Sequence, residues 1–463
     1  MLKRQKTKQI LVVTALMATF CIHAQGINFA DAWQLLQNKN NSLAAQRANV
    51  QRYTQLEDAD NALNYPKITL RANYTRLDDD IDLSLSSLDL SATAAATLSA
   101  LGLPSSMTVT EKDMLTSSVQ VLWPIYTGGK ISAAQSYASG KKDEAIAQLK
   151  TETQSRYEDL GRYYFSAVLA KNVLDTRQSV EKALSQHRDF AIKLEQQGQI
   201  AKVERLQADA SLAKAIVDRK KAQRDLDIAI TALTEILNQK EKVTPQSTLF
   251  INRTLPPLGA FTEQTLENYP GLDLLDAKDK QATSAIKAEQ SKYYPNVYLY
   301  GDYVVYQDDS LLSESTPDWF AGIGISIPLI DNSGRSEKVQ AAHSAKLQIN
   351  HLRQQARQDL TVLVEKTYFS AEQAIEEVEG LDSSLALAQE NFRLRKKSFN
   401  QGLSTSLDVI DARLYLANIK TQQQIARFNY IIALNKLLAL SSETSTFSQY
   451  EQTAFQSSTL KDK

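Results

Sequence analysis

Reactive chemistry needs side chains of suitable type at suitable spacing, and this 463-residue sequence offers few. One cysteine, Cys21, and four scattered histidines leave no thiolate metal site, no dithiol redox pair and little imidazole catalysis. His343 and His351 have no carboxylate at metal-site spacing and read as solvated helix residues. Gly322-x-Gly324 lacks the third glycine of a dinucleotide loop and sits in a strand pattern. Gly129-Lys130 lacks the flanking residues of a phosphate loop, and no Gly-x-Ser-x-Gly turn is present. Asp78-Asp79-Asp80 could suggest calcium but reads better as a solvated loop. One pair stands apart. Asp408 follows Thr405 at the spacing of a capping box, which accounts for it as a helix start. It does not account for Asp411, one turn further in on the same side, because like charges at that spacing cost a few tenths of a kcal/mol. The expectation is a protein that is not an enzyme, with no cofactor and no metal.

The elements that must carry these residues follow from composition and pattern. A formal net charge of -1 excludes a polybasic nucleic-acid binder and an acidic disordered tail as the main theme. Only 15 glycines and 10 prolines argue for long uninterrupted elements. Lys3, Arg4, Lys6 and Lys8 precede an apolar run from Ile10 to Ile22, with Ala24 after it. That run is too short to span a bilayer and reads as a secretory signal over residues 1–24. A short anchor is the weaker reading, and Phe20 is too large to precede a lipidated cysteine. Cleavage after Ala24 would remove the thiol and four cations, leaving an exported, modestly acidic chain.

The sequence then repeats itself. Tyr65-Pro66 recurs as Tyr294-Pro295, and Trp123-Pro124 with Gly128-Gly129-Lys130 recurs as Ile327-Pro328 with Ser333-Gly334-Arg335. Gln197-Gly198 recurs as Gln401-Gly402, with Val203, Glu204, Leu206 and Ala208 matching Leu407, Asp408, Ile410 and Ala412. A first unit over 25–257 and a second over 258–440 each read helix, strand, loop, strand, long helix, glycine turn, helix. A proline-containing linker joins them, and 441–463 reads as a polar tail. The strands alternate: Ile68, Leu70, Ala72 and Tyr74; Val119, Val121, Trp123 and Ile125; Val297, Leu299, Tyr303 and Val305; Trp319, Ala321, Ile323, Ile325 and Ile327. Such faces suit a sheet on a soluble core or the wall of a membrane barrel. Export without an apolar helix favours the barrel, with Val119, Val121, Trp123, Trp319, Ile323 and Ile325 facing lipid. Four strands cannot close a barrel and open edges are not tolerated in lipid, so the chain must share its barrel with other copies. The stretch 78–112 reads as an external loop.

Proline is absent from Ile131 to Gln196 and from Ser336 to Gln401. Either stretch would run roughly 100 Å as one helix. Apolar residues from Leu360 to Phe399 and from Leu407 to Ile432 recur at three- and four-residue steps, as in an antiparallel coiled coil.

These paired Tyr-Pro sites, strand ends, Gly-Gly-Lys turn and glycine hairpins, with Leu407-Asp408-Val409-Ile410-Asp411-Ala412, resemble the TolC outer-membrane efflux protein family over essentially the whole mature chain. The resemblance implies a mixed α and β fold. In it, a trimeric twelve-stranded outer-membrane barrel continues into a long periplasmic α-helical coiled-coil barrel. It implies a passive exit duct of a tripartite efflux or type I secretion system of a Gram-negative outer membrane. The implied partners are a homotrimer, a periplasmic adaptor, an inner-membrane pump and outer-membrane lipid. It places Asp408 and Asp411 at the periplasmic entrance, as a carboxylate ring that favours cations. Gln197, Gly198, Gln401, Gly402 and Leu403 are the matching adaptor-docking positions, although glycine capping also accounts for the two glycines. Ser404 and Phe399 depart from the basic and tyrosine residues of some relatives, so Lys202, Glu204 or Arg205 are the alternative gate partners. A periplasmic adaptor with one hairpin, or a structural coiled coil without a channel, remain competing readings.

Overall fold

The computed structural model describes residues 26–84, 91–102, 106–308, 313, 317–330 and 332–459; the expected signal segment lies outside them. Gly26–Ile27 (β1) leads into Phe29–Lys39 (α1) and Asn41–Asn61 (α2), then the strand Lys67–Arg76 (β2). A hairpin of Ile81–Ser84 (β3) and Ser106–Thr110 (β4), with the helix Ala92–Ala100 (α3) between them, precedes Asp113–Tyr126 (β5). The 67-residue helix Lys130–Gln196 (α4) and its return Lys202–Ile236 (α5) complete this half. After Thr244–Pro245 (β6), the order begins again with Leu258–Asn268 (α6), Pro270–Ser291 (α7), Asn296–Gln307 (β7) and Trp319–Ser326 (β8). The 66-residue Arg335–Asn400 (α8), its return Ser406–Leu440 (α9) and Phe447–Thr459 (α10) end the chain.

Local signals explain these boundaries. The Asn28 side chain caps α1 by accepting from the Asp31 amide at 2.8 Å, and Asn40 caps α2 through Leu43 at 3.1 Å. Gly129 and Gly334 precede the two long helices at φ of +89° and +63°, in the left-handed region open to glycine. The stretch 78–112, expected as a loop, instead contains the β3–β4 hairpin and α3. Asp80 is used structurally there, accepting from the Lys112 amide at 2.7 Å.

The main sheet is antiparallel in the order β2-β5-β7-β8, with β2 and β8 at its edges. Ile68↔Val121, Leu70↔Val119, Leu299↔Trp123 and Leu299↔Ile323 are opposite pairs, so the alternating apolar residues form one continuous face. Among the described residues nothing packs over it: Leu70 is 68% exposed, Ile325 69% and Trp319 65%. The soluble-core reading of the strands fails on this point. Across the sheet, Tyr298 and Tyr300 lie over Gly324 and Gly322. A Cβ would come within 2.5 Å of the Tyr298 ring at Gly324 and within 2.8 Å of the Tyr300 ring at Gly322. The two strand glycines make room for rings.

The core sits midway along the helices. Phe29, Tyr157, Tyr164, Phe165, Phe250 and Phe447 cluster there, with Phe29 and Phe447 centroids 4.7 Å apart. Two segments read as loose in the sequence are anchored in it. The linker after α5 pairs β6 with β1 in parallel and buries Leu249 and Phe250. The expected tail forms α10, with Phe447 and Ala454 buried. On α9 the buried stripe runs through Ile410, Arg413 and Ala417, whereas Leu407, Leu414 and Ile425 of the expected seam are exposed. Among the described residues, no helix is long and apolar enough to cross a membrane.

Candidate functional site at the hairpin ends

The ends of the α4–α5 and α8–α9 hairpins lie side by side, remote from the sheet. Each turn is closed by a left-handed glycine, Gly198 at φ +69° and Gly402 at φ +72°. The Gln199 amide donates to the Leu194 carbonyl at 2.9 Å and the Leu403 amide to the Ser398 carbonyl at 2.9 Å, which satisfies carbonyls that a helix end leaves orphaned. Space is open around both glycines, and Leu403 is 79% exposed with Gln197 and Gln401 also exposed beside it.

Asp408 makes the capping box its spacing suggested. Its carboxylate accepts from the Thr405 amide at 3.0 Å and from the Thr405 and Ser404 hydroxyls at 2.9 Å each. The Thr405 hydroxyl accepts in turn from the Asp408 amide at 3.2 Å. Those bonds, the Thr405 amide first, with a small contribution from Arg395, hold the carboxyl below the usual aspartate range. Asp411 is exposed and has no hydrogen-bond or ion-pair partner among the described residues. Ser404 therefore serves the cap.

The alternative partners separate. Arg205 bonds Glu195 at 2.6 Å and Asp209 on its own helix, and Lys202 points to solvent. Neither reaches the aspartates within one chain; the cation nearest Asp408 is Arg395, at 3.8 Å. Glu204 does cross between hairpins, accepting from the Ser406 amide at 2.6 Å. Ser406, fully buried at the first turn of α9, also meets His187 of α4 through its hydroxyl, 2.7 Å from Nε2. The His187 ring packs on Phe399 with centroids 4.6 Å apart, so Phe399 serves as an apolar wall. Burial, helped by the nearby Lys396, lowers His187 from its ordinary 6.5 to about 4. The imidazole is therefore neutral near pH 7.

Below this tie lies a cavity of about 220 Å³ between α4, α8 and α9. Leu184, His187, Phe190, Phe392 and Val409 line it, with Lys396 and Arg413 as its charged groups. The Arg413 guanidinium donates to Ser179 and lies 5.2 Å from the Phe392 ring centroid. The sequence reading passed over His187, Ser406 and Arg413. Only Arg413 left a trace, in sharing the 410–413–417 spacing of the buried stripe.

Residues 32–239 and 262–443 match the family model described as outer membrane efflux protein. The chain is 21% identical over 338 residues to the outer membrane protein TolC of Escherichia coli (strain K12), covering 68% of this chain and 67% of that one. Its fold is similar to the crystal structure of CusC, with a TM-score of 0.74 at 15% identity, covering 91% of this chain and 95% of that one. It is similar also to the outer-membrane channel OprN, with a TM-score of 0.73 at 15% identity over 90% of each chain.

Proposed function

The chain belongs to the outer membrane efflux protein family, and from that premise we propose how its parts make a duct. The protein is an outer-membrane exit channel for efflux that extends into the periplasm. One observation carries the assembly: a single-layer sheet whose apolar face is exposed and whose β2 and β8 edges are open. Three copies joining β8 to the next β2 would continue the antiparallel order and close twelve strands, removing every edge. Val119, Val121, Trp123, Trp319, Ile323 and Ile325 would then face lipid. The units 25–257 and 258–440 are two copies of one plan, placed so that each contributes two strands and one hairpin.

The hairpin ends form the periplasmic entrance. Asp411, exposed and unpaired, supplies the carboxylate ring that favours cations, while Asp408 holds the start of α9 in place and adds its charge. The exposed turns at Gln197, Gly198, Gln401, Gly402 and Leu403 receive a periplasmic adaptor, which connects the duct to an inner-membrane pump. An apolar side chain held in water on a left-handed turn, as Leu403 is, supports that placement. The duct does no chemistry of its own.

Single-channel recording in a planar bilayer tests the entrance. Asp411→Ala is expected to reduce cation over anion selectivity several-fold with little change in thermal stability. Asp408→Ala is expected to do so while also destabilising the first turn of α9 by about 1 kcal/mol, the scale of capping interactions at a helix start. Unchanged selectivity in the double variant would remove the aspartates from the conduction path.

A further inference from the structure

Arg413 presents an unusual electrostatic situation. It is 8% exposed, and its Nε has no hydrogen-bond partner. Among the described residues it has no ion-pair partner; its one polar contact is the neutral Ser179 hydroxyl. Burial pulls its affinity for the proton below that of an ordinary arginine, with no carboxylate acting against the effect. A buried, unpaired cation of this kind is costly unless something compensates it. The cavity beside it offers room for the compensation. Its other cation, Lys396, reaches in from α8, and no aspartate or glutamate lines it. The remaining walls are apolar or aromatic: Leu184, Phe190, Phe392 and Val409. At about 220 Å³ it lies below the usual range for drug-sized ligands and suits a small molecule.

We propose that this cavity between α4, α8 and α9 is a binding site for a small amphipathic carboxylate, with the anionic group on Arg413 and Lys396 and the apolar body between Phe190 and Phe392. A carboxylate there makes charge-assisted bonds to a desolvated guanidinium, which are stronger than neutral ones. It also spans two hairpins: His187 and Phe190 come from α4, Phe392 and Lys396 from α8, and Val409 and Arg413 from α9. An occupant therefore adds contacts between the hairpins beside the His187–Ser406 tie, and stabilises the arrangement in which they lie together. The site is independent of the aspartate ring, since neither Asp408 nor Asp411 lines it.

The test uses the full-length protein in detergent, with benzoate as the probe and benzyl alcohol as its uncharged counterpart, read by titration calorimetry. Benzoate is expected to bind at least tenfold more tightly than benzyl alcohol, and at least tenfold more weakly to Arg413→Met. Lys396→Gln, at an exposed position on the mouth, is expected to weaken benzoate several-fold. It decides the matter if the arginine variant does not assemble. Equal affinity for the two probes, undiminished benzoate binding by Lys396→Gln, or no benzoate binding to the unaltered protein would each overturn the site.

Discussion

Ser406 is one residue on which the two hairpins meet. Its backbone amide donates to Glu204 and its hydroxyl pairs with His187, so one small residue serves both α4 and α5 of the neighbouring hairpin. Because His187 has a lower pKa in the folded chain than when exposed, the unfolded state binds more protons between pH 6.5 and about 4. Stability from this group is therefore full above pH 6.5 and falls as the pH drops through that window, with Lys396 adding to the cost of a charged ring. The change amounts to about 3 kcal/mol. Hydrogen exchange of the first-turn amides of α9, corrected for intrinsic rate, should show it as a loss of protection on acidification. His187→Gln keeps a polar group for Ser406 and should flatten that profile; an unaltered slope would mean that another group titrates.

At the scale of elements, the hairpins are held by close approach as much as by apolar area. Where α4 crosses α9, a Cβ on Gly161 would lie 1.5 Å from the Asn435 Nδ2. The Asn435 amide is 1% exposed and neither of its polar atoms has a partner. Gly161→Ala should cost about 1–3 kcal/mol through overpacking. Asn435→Ala removes an unsatisfied buried amide and should be neutral or stabilise by about 1 kcal/mol. In the Asn435→Ala background the glycine substitution should cost much less, a coupling that denaturation of all four variants would measure. The last helix is equally part of the structure. Phe447 is 3% exposed and stacks among Phe29, Phe165 and Phe250, so Phe447→Ala should destabilise the midsection by about 3–5 kcal/mol. A melting temperature that did not move would return α10 to the role of a dispensable tail.

For the whole molecule, the sheet is the part that cannot be complete in one chain. Its apolar residues are exposed on one side, and β2 and β8 each present unpaired backbone groups. In lipid such edges are costly enough that only closure is stable. For the proposed twelve-stranded closure, mass measurement of the detergent-solubilised particle should give three copies. A stable monomer, or closure at two or four copies, would require a different strand number in the wall. The exposed Leu407, Leu414 and Ile425 on α9 fit the same picture, since a helix stripe uncovered by its own chain is available to a neighbour.

Periodicity alone made much of this architecture legible. A two-residue alternation from Ile68 to Tyr74, an uninterrupted run from Ile131 to Gln196 and glycines at 198 and 402 specify strand, long helix and turn through local geometry. The capping role of Asp408 was legible for the same reason, because the box spans only four residues. What depended on residues distant in sequence was not. His187 and Ser406 are 219 positions apart, and only the packing of one hairpin on the other makes them partners. The same packing buries Arg413 and separates Arg205 and Lys202 from the aspartates, and packing of the midsection draws Phe447 and Ala454 of α10 into the core. The sequence by itself determined the four strands of the main sheet, the long helices and the turns between them, since those follow from neighbours along the chain. The tertiary structure decided which polar side chains are buried and whom they face, because burial and partnership are properties of the packed hairpins.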